Sequence, residues 1–360
     1  MACNRALLGG AALFIENCWY VAGWDKEVPA DGLFSRTIIN RPLVFWRDRN
    51  GQVVALLDRC CHRAARLSMG RTEQGGDQIR CMYHGLLYDR SGQCIGAPAQ
   101  TRIPPNAKVR AFPVVERHRW IWVWMGDPAL ADPALIPDTQ WLDHPQWRSL
   151  DGYLHYDVNY LLIADNLLDF SHLPFLHPTT VGGSTDYAAV LPKVERNQRG
   201  VRLTKWVANT QPPEYSAKYA NYPEGARVDR WMYYDFVVPG VLLMDSGMMP
   251  AGTGGQDSHR EDALAFRGCQ ALTPETETST HYFFGHAHNF LIDRPEVTRE
   301  IHAGIVKAFN EDRAMITAQQ HNLALDPGFT MTPLSVDTAL SQFRWVVAQF
   351  LKKESVAPVP

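Results

Sequence analysis

The sequence predicts an α+β protein in two parts, an all-β N-terminal domain followed by an α+β domain, and three observations carry that prediction. A hairpin pattern stands early in the chain, a proline-dense break follows it, and a long amphipathic helical pattern lies near the end. In the hairpin, the apolar runs Pro42–Trp46 and Val53–Leu57 flank Asn50-Gly51, a pair that favours a tight turn. A further apolar run, Trp120–Met125, stops at Gly126-Asp127-Pro128, and Pro128, Pro133, Pro137 and Pro145 suit neither a helix interior nor a central strand. The expected organisation is a first domain over 14–127, a Pro-rich linker over 128–150 and a second domain over 151–352. In the second domain a helix is expected over about 160–172 and strands over Trp231–Val238, Val241–Met244 and His281–Phe284. A long helix should run from about Pro295 to His321.

Composition narrows the function classes. With 360 residues, 46% hydrophobic and 20% charged, the chain is globular and too long for one core. A formal charge of -3 without like-charge runs leaves no footprint for nucleic acid. No window nears the eighteen or so apolar residues a membrane helix needs. The stretch Ala6–Ile15 faintly resembles a secretion signal but reads as an N-terminal extension, since no small-residue cleavage site precedes Trp19. Seven cysteines, at 3, 18, 60, 61, 81, 94 and 269, make a poor disulfide framework and suit a reducing cytoplasm, so metal ligation is the first expectation.

That expectation finds its residues in Cys60-Cys61-His62 and Cys81-Met82-Tyr83-His84. Each knuckle offers one thiolate and one imidazole, so two cysteines can hold one iron of a 2Fe-2S centre and two histidines the other. The competing reading is structural zinc, although zinc sets more often place both cysteines in one knuckle and both histidines in the other. Only Cys60 leaves a one-residue gap to His62, so Cys61 is expected to be a buried free thiol. These stretches, with Gly85-Leu86 after the second, resemble the Rieske ferredoxin fold, in which Cys60 and Cys81 would bind one iron and His62 and His84 the other. Cys61 stands where that family usually has proline.

A second constellation is Asn166-Leu-Leu-Asp169-Phe-Ser-His172-Leu-Pro-Phe-Leu-His177. Asp169 and His172 would share a helix face, whereas His172 and His177 diverge by about 140° on an ideal helix and converge only at a break, for which Pro174 supplies a reason. Two histidines and a carboxylate suit Fe(II) and oxygen activation. Spacing leaves the carboxylate open among Asp165, Asp169, Glu311 and Asp312.

The run Asp-x-x-His-x4-His with a distant acidic residue in a long helix resembles the catalytic domain of Rieske oxygenases. The resemblance implies a helix-grip (START-like) fold with an antiparallel sheet, iron on His172, His177 and Asp312, Asp169 as a bridge to His84 of a neighbouring subunit, and Asn166 close to the iron. Stretches such as Cys18-Trp19-Tyr20-Val21-Ala22, Leu272-Thr273-Pro274-Glu275-Thr276-Glu277 and His281-Tyr282-Phe283-Phe284-Gly285 are similar to the vanillate and dicamba O-demethylase group. It implies a homotrimer that uses O2 to oxidise an aromatic substrate, most simply a methoxylated aromatic acid that loses formaldehyde. The alternatives are hydroxylation of a methyl, ring or alicyclic carbon, and an electron-transfer protein without oxygenase activity. Electrons would come from NADH or NADPH through a separate reductase or ferredoxin, because no dinucleotide fingerprint is present.

Candidate substrate contacts are Trp231, Tyr233, Asp235 and His281. His286 and His288 read as ordinary strand residues, Met244–Met249 as core or pocket wall, and Gly252–Gly255 as a loop without the Lys-Ser/Thr of a phosphate cradle.

Overall fold

The computed structural model describes residues 14–98, 100–178, 180, 182, 189–212, 217–253, 260 and 263–356. The extension expected before Phe14, and Gly254 and Gly255 of the glycine loop, lie outside them. The described residues form two units, one over 14–137 with 273–277, the other over 138–272 and from 278 on.

The first unit is all β apart from single 3-10 turns. Its strands are β1 (Trp19–Trp24), β2 (Phe34–Ile38), β3 (Arg41–Arg47), β4 (Val53–Leu57), β5 (Arg71–Glu73), β6 (Gln78–Arg80), β7 (Leu87–Asp89), β8 (Cys94–Gly96), β9 (Ala111–Phe112), β10 (Val114–Arg117) and β11 (Trp120–Trp124). They form sheets ordered β1-β11-β10, β2-β3-β4-β9 and β5-β6-β7-β8. β11 reads Trp-Ile-Trp-Val-Trp without polar alternation because every one of its residues is buried. The expected hairpin is β3–β4, but its connection is longer than a two-residue turn. Arg47 pairs with Val53, only Gly51 takes positive φ, and the Asp48 carboxylate accepts from the amides of Asn50 and Gln52. An acceptor at the start of the loop did what the Asn-Gly pair was expected to do.

The second unit is built on a seven-stranded antiparallel sheet. Its strands are β12 (Gly152–Tyr156), β13 (Lys193–Arg196), β14 (Gly200–Thr210), β15 (Val228–Val237), β16 (Val241–Pro250), β17 (Leu264–Thr276) and β18 (Ser279–His288), in the order β12-β18-β17-β16-β15-β14-β13. Its helices are α1 (Tyr160–Leu167), the short α2 (Leu173–Leu176), α3 (Pro295–Leu325) and α4 (Thr338–Val356). α3 packs on β12 and β18, and α4 on β13 and β14. The α+β class and the all-β first domain are as expected. α4 was not foreseen, and α1 ends well before the expected residue 172. Asn159 caps the start of α1, its side chain accepting from the Leu161 amide.

α4 is clamped to α1 by Arg344, whose guanidinium grips both oxygens of the half-buried Asp165 carboxylate. Burial pushes the Asp165 pKa up and Arg344 opposes it. Arg344→Met should cost about 3–5 kcal/mol, because it strands the carboxylate. Urea unfolding of Arg344→Met, compared with Asp165→Asn/Arg344→Met, checks this. The double variant should regain part of the loss, and a single variant as stable as wild type would sink the clamp.

Candidate metal centres and substrate chamber

In the first unit the two knuckles repeat the same backbone design. The Cys60 amide donates to the Ala65 carbonyl and the Ala64 amide returns to the Cys60 carbonyl; Cys81 with Leu86, and Gly85 with Cys81, do the same. Closing each loop requires positive φ at its fourth residue after the hydrogen-bonded cysteine, 55° at Ala64 and 75° at Gly85. Cys60 and Cys81 are buried in an apolar cluster with Trp46, Leu56 and Ile79. His62 and His84 are exposed, their ring centroids 4.5 Å apart, and Cys61, expected to be buried, is exposed beside them because the turn after Cys60 faces outward. The Tyr88 hydroxyl lies 3.0 Å from Cys60 Sγ and 3.2 Å from Cys61 Sγ. Thiols inside and imidazoles outside fit a cluster with two cysteines on its inner iron and two histidines on its outer one.

In the second unit the geometry brings His172, His177 and Asp312 together, with one candidate ligand atom of each within 4.8 Å of the others. Asp312 Oδ1 lies 3.5 Å from His172 Nε2 and 3.1 Å from His177 Nε2. α1 stops at Leu167, so Asp169 and His172 do not share a helix. Instead Asp169 turns the chain by accepting from the Ser171 amide, and α2 begins. Pro174 sits in the first turn of α2, where its missing N–H costs nothing; it starts that helix rather than breaking one. His172 and His177 flank α2 at its two ends, and this is how residues five apart converge.

The other carboxylates have different partners. Glu311 lies 2.8 Å from His177 Nδ1 and also accepts from the Thr180 hydroxyl, so it orients that ring from behind. Asp165 is held by Arg344. Asp169 Oδ2 is 4.0 Å from His172 Nδ1, which is enclosed and has no hydrogen bond. Asn166 Nδ2 donates to Asp312 Oδ1 at 2.9 Å, fixing the carboxylate. Burial pushes the His172 pKa down against the opposing pull of Asp312 and Asp169. Burial acts likewise on His177, but hydrogen bonds to Asp312 and Glu311 outweigh it and raise the pKa. Two imidazoles and one buried carboxylate converging at these distances fit a divalent iron with positions left open.

A cavity of about 460 Å³ opens on this group. Its wall is largely apolar, with Met232, Tyr234, Met244, Phe266 and Phe309; Ser246, Gln270 and His286 are among its polar points, and Lys218, Tyr219, Glu300 and Lys307 also line it. Among the four expected substrate contacts, none lines it. Trp231 Nε1 donates to Asp245, Arg260 stacks on Tyr233, Asp235 takes both arms of Arg202, and His281 Nδ1 meets the Tyr153 hydroxyl at 2.9 Å. Alternation along β15 turns Met232 and Tyr234 to the cavity, one position away from the residues expected there. Met244 of the methionine run is a wall residue. His286, expected to be an ordinary strand residue, lines the cavity too.

An all-β domain with paired Cys/His knuckles and a sheet-and-helix domain with a two-histidine, one-carboxylate group define a two-centre non-haem iron oxygenase. Residues 156–353 match the vanillate O-demethylase oxygenase C-terminal domain and residues 18–113 the Rieske 2Fe-2S domain. The chain belongs to the vanillate O-demethylase oxygenase family of Rieske oxygenases. It is 47% identical to the toluene-4-sulfonate monooxygenase system iron-sulfur subunit of Comamonas testosteroni, over 97% of this chain and 100% of that one. It is 35% identical to a vanillate O-demethylase oxygenase subunit of a Pseudomonas species, over 96% and 97%. Among solved structures, dicamba monooxygenase bound to dicamba matches with a TM-score of 0.85 at 33% identity, over 96% of this chain and 99% of that one. The protein is therefore the oxygenase component of a multi-component Rieske monooxygenase, with a Rieske 2Fe-2S cluster, a mononuclear iron and a separate NAD(P)H-dependent reductase. No described helix is long and apolar enough to cross a membrane.

Proposed function

We propose that the chain oxidises a methyl group carried by an aromatic acid, most simply by O-demethylating a methoxylated one. The observation that carries this reading is the largely apolar, ring-sized cavity opening directly on His172, His177 and Asp312. Cys60 and Cys81 hold one cluster iron, His62 and His84 the other, and His172, His177 and Asp312 the mononuclear iron. The cluster domain spans 14–127 and the catalytic domain 151–352. When bound, the two centres supply stored electrons and O2 activation.

The chain's own residues supply orientation and exclusion. Asn166 and Glu311 fix the ligating carboxylate and imidazole, and the Met232, Tyr234, Phe266 and Phe309 wall excludes water and holds the ring. In the net reaction one atom of O2 enters a methyl C–H bond, and the other leaves as water with two electrons from NAD(P)H and two protons. The hemiacetal so formed breaks into a phenol and formaldehyde. A second reading, hydroxylation of a ring-borne methyl group, is favoured by the 47% identity to the toluene-4-sulfonate monooxygenase subunit. Reconstitution with a reductase on 4-methoxybenzoate and 4-toluenesulfonate separates them. Formaldehyde from the first substrate supports demethylation, a benzylic alcohol from the second supports hydroxylation, and neither product would overturn both.

The resemblance also supports a cytoplasmic homotrimer, in which Asp169 joins His172 to the cluster histidine His84 of a neighbouring subunit. Asp169→Asn should then keep both metals while slowing single-turnover reoxidation of the cluster by about tenfold or more. Stopped-flow absorbance at the cluster bands reads it, and an unchanged rate would rule the bridge out.

A further inference from the structure

We propose that His286 is the residue by which the chamber selects an aromatic acid, its imidazole donating a hydrogen bond to an oxygen of a carboxylate or sulfonate substituent while the methyl-bearing end lies at His172, His177 and Asp312. This rests on the chamber being the substrate site. Gln270 Oε1 accepts from the Tyr282 hydroxyl, and Lys218, which also lines the chamber, is paired with Glu300. His286 has no partner among the described residues, and its Nδ1 is fully enclosed. An enclosed lone pair is tolerated better than an enclosed N–H, so Nδ1 is left as the lone pair and Nε2 is the nitrogen free to meet a ligand. The ring therefore carries its proton on Nε2. Burial first, then the neighbouring His302, pushes its pKa down to about 4, which keeps that tautomer neutral at physiological pH.

Gly268, on β17, leaves the room that Nε2 needs. A Cβ there would come 3.3 Å from Nε2 and 3.1 Å from the Met244 Cβ. His286 and the metal group line the same cavity, so a substrate held in it can meet both.

The test is calorimetric binding of 4-methoxybenzoate, 4-toluenesulfonate and uncharged 4-methylanisole to the anaerobic, fully metallated protein. His286→Leu should weaken both acids by about ten- to a hundredfold, the loss expected for a hydrogen bond to a charged group, and leave 4-methylanisole within about twofold. Gly268→Ala, which crowds Nε2 without touching the imidazole, should produce the same acid-selective loss and carries the test if the leucine variant fails to fold. Which acid loses more tells carboxylate from sulfonate. Acids that bind unchanged, an equal loss for all three probes, or wild-type protein that binds neither acid would overturn the proposal. Acid binding that depends on His286 without any oxidised product would overturn the methyl-oxidation reading alone.

Discussion

Asp312→Ala is expected to empty the mononuclear site while leaving the cluster intact. Iron should fall from about three to about two per chain against a constant two or so sulfides, the red-brown absorbance should persist, and product formation should drop to background. The reason is geometric. Asp312 Oδ1 is the atom that faces both His172 Nε2 and His177 Nε2, and no neighbouring carboxylate can take its place. Glu311 reaches the other nitrogen of His177, and Asp165 is committed to Arg344. The buried face of α3 remains apolar after the substitution, with Ile305, Ala308, Phe309 and Ile316 still packed, so loss of fold is not the expected route to loss of iron. Glu311→Ala is the informative contrast. Removing a group that only orients a ligand should weaken iron by about ten- to a hundredfold, recoverable with excess Fe(II). An Asp312→Ala protein that keeps about three irons, or a Glu311→Ala protein that cannot be reloaded, would reverse the two assignments.

The same helix shows what was legible in the sequence. Positions 305, 308, 309, 312 and 316 form one stripe at helical spacing, and Asp312 is its buried carboxylate. A carboxylate in an apolar stripe is costly unless it has a partner, so periodicity could have separated Asp312 from Glu311 without any family resemblance. The cluster domain was legible because its Cys/His knuckles are local in sequence. The chamber was not, because its wall comes from separate strands and α3, and a one-residue change of register turns every β side chain to the other face. Trp231, Tyr233 and Asp235 were on the right strand with the wrong parity, since large aromatic side chains drew attention to the face packed against Asp245, Arg260 and Trp206. His286 carries its own signal in the sequence. It continues the Tyr282, Phe284 series that faces Phe309, and a histidine in such a series has either a partner or a function.

In Cys81→Ser the expected loss is the whole chromophore, leaving about one iron per chain and no labile sulfide. A serine hydroxyl is not deprotonated at neutral pH and offers iron no thiolate, while the buried apolar surroundings of position 81 leave no water to assist. The knuckle itself should still form, because its closing bonds run from the Cys81 amide to Leu86 and from Gly85 to the Cys81 carbonyl and involve no sulfur. Folding without the cluster should nevertheless lower the melting temperature, since a group that binds only the native state stabilises it by its binding free energy. Cys61→Ala should leave iron and sulfide unchanged, because Cys61 lies on the exposed side and shares only the Tyr88 hydroxyl with Cys60, the proposed ligand. Tyr88 is held protonated by burial and by its hydrogen bonds to Cys60 and Cys61, so it acts as a donor toward sulfur. A donor favours the more negative, reduced cluster, and Tyr88→Phe should lower the reduction potential at full metal content. If Cys61→Ala bleached the protein while Cys81→Ser stayed coloured, the ligand assignment in both knuckles would have to be redrawn.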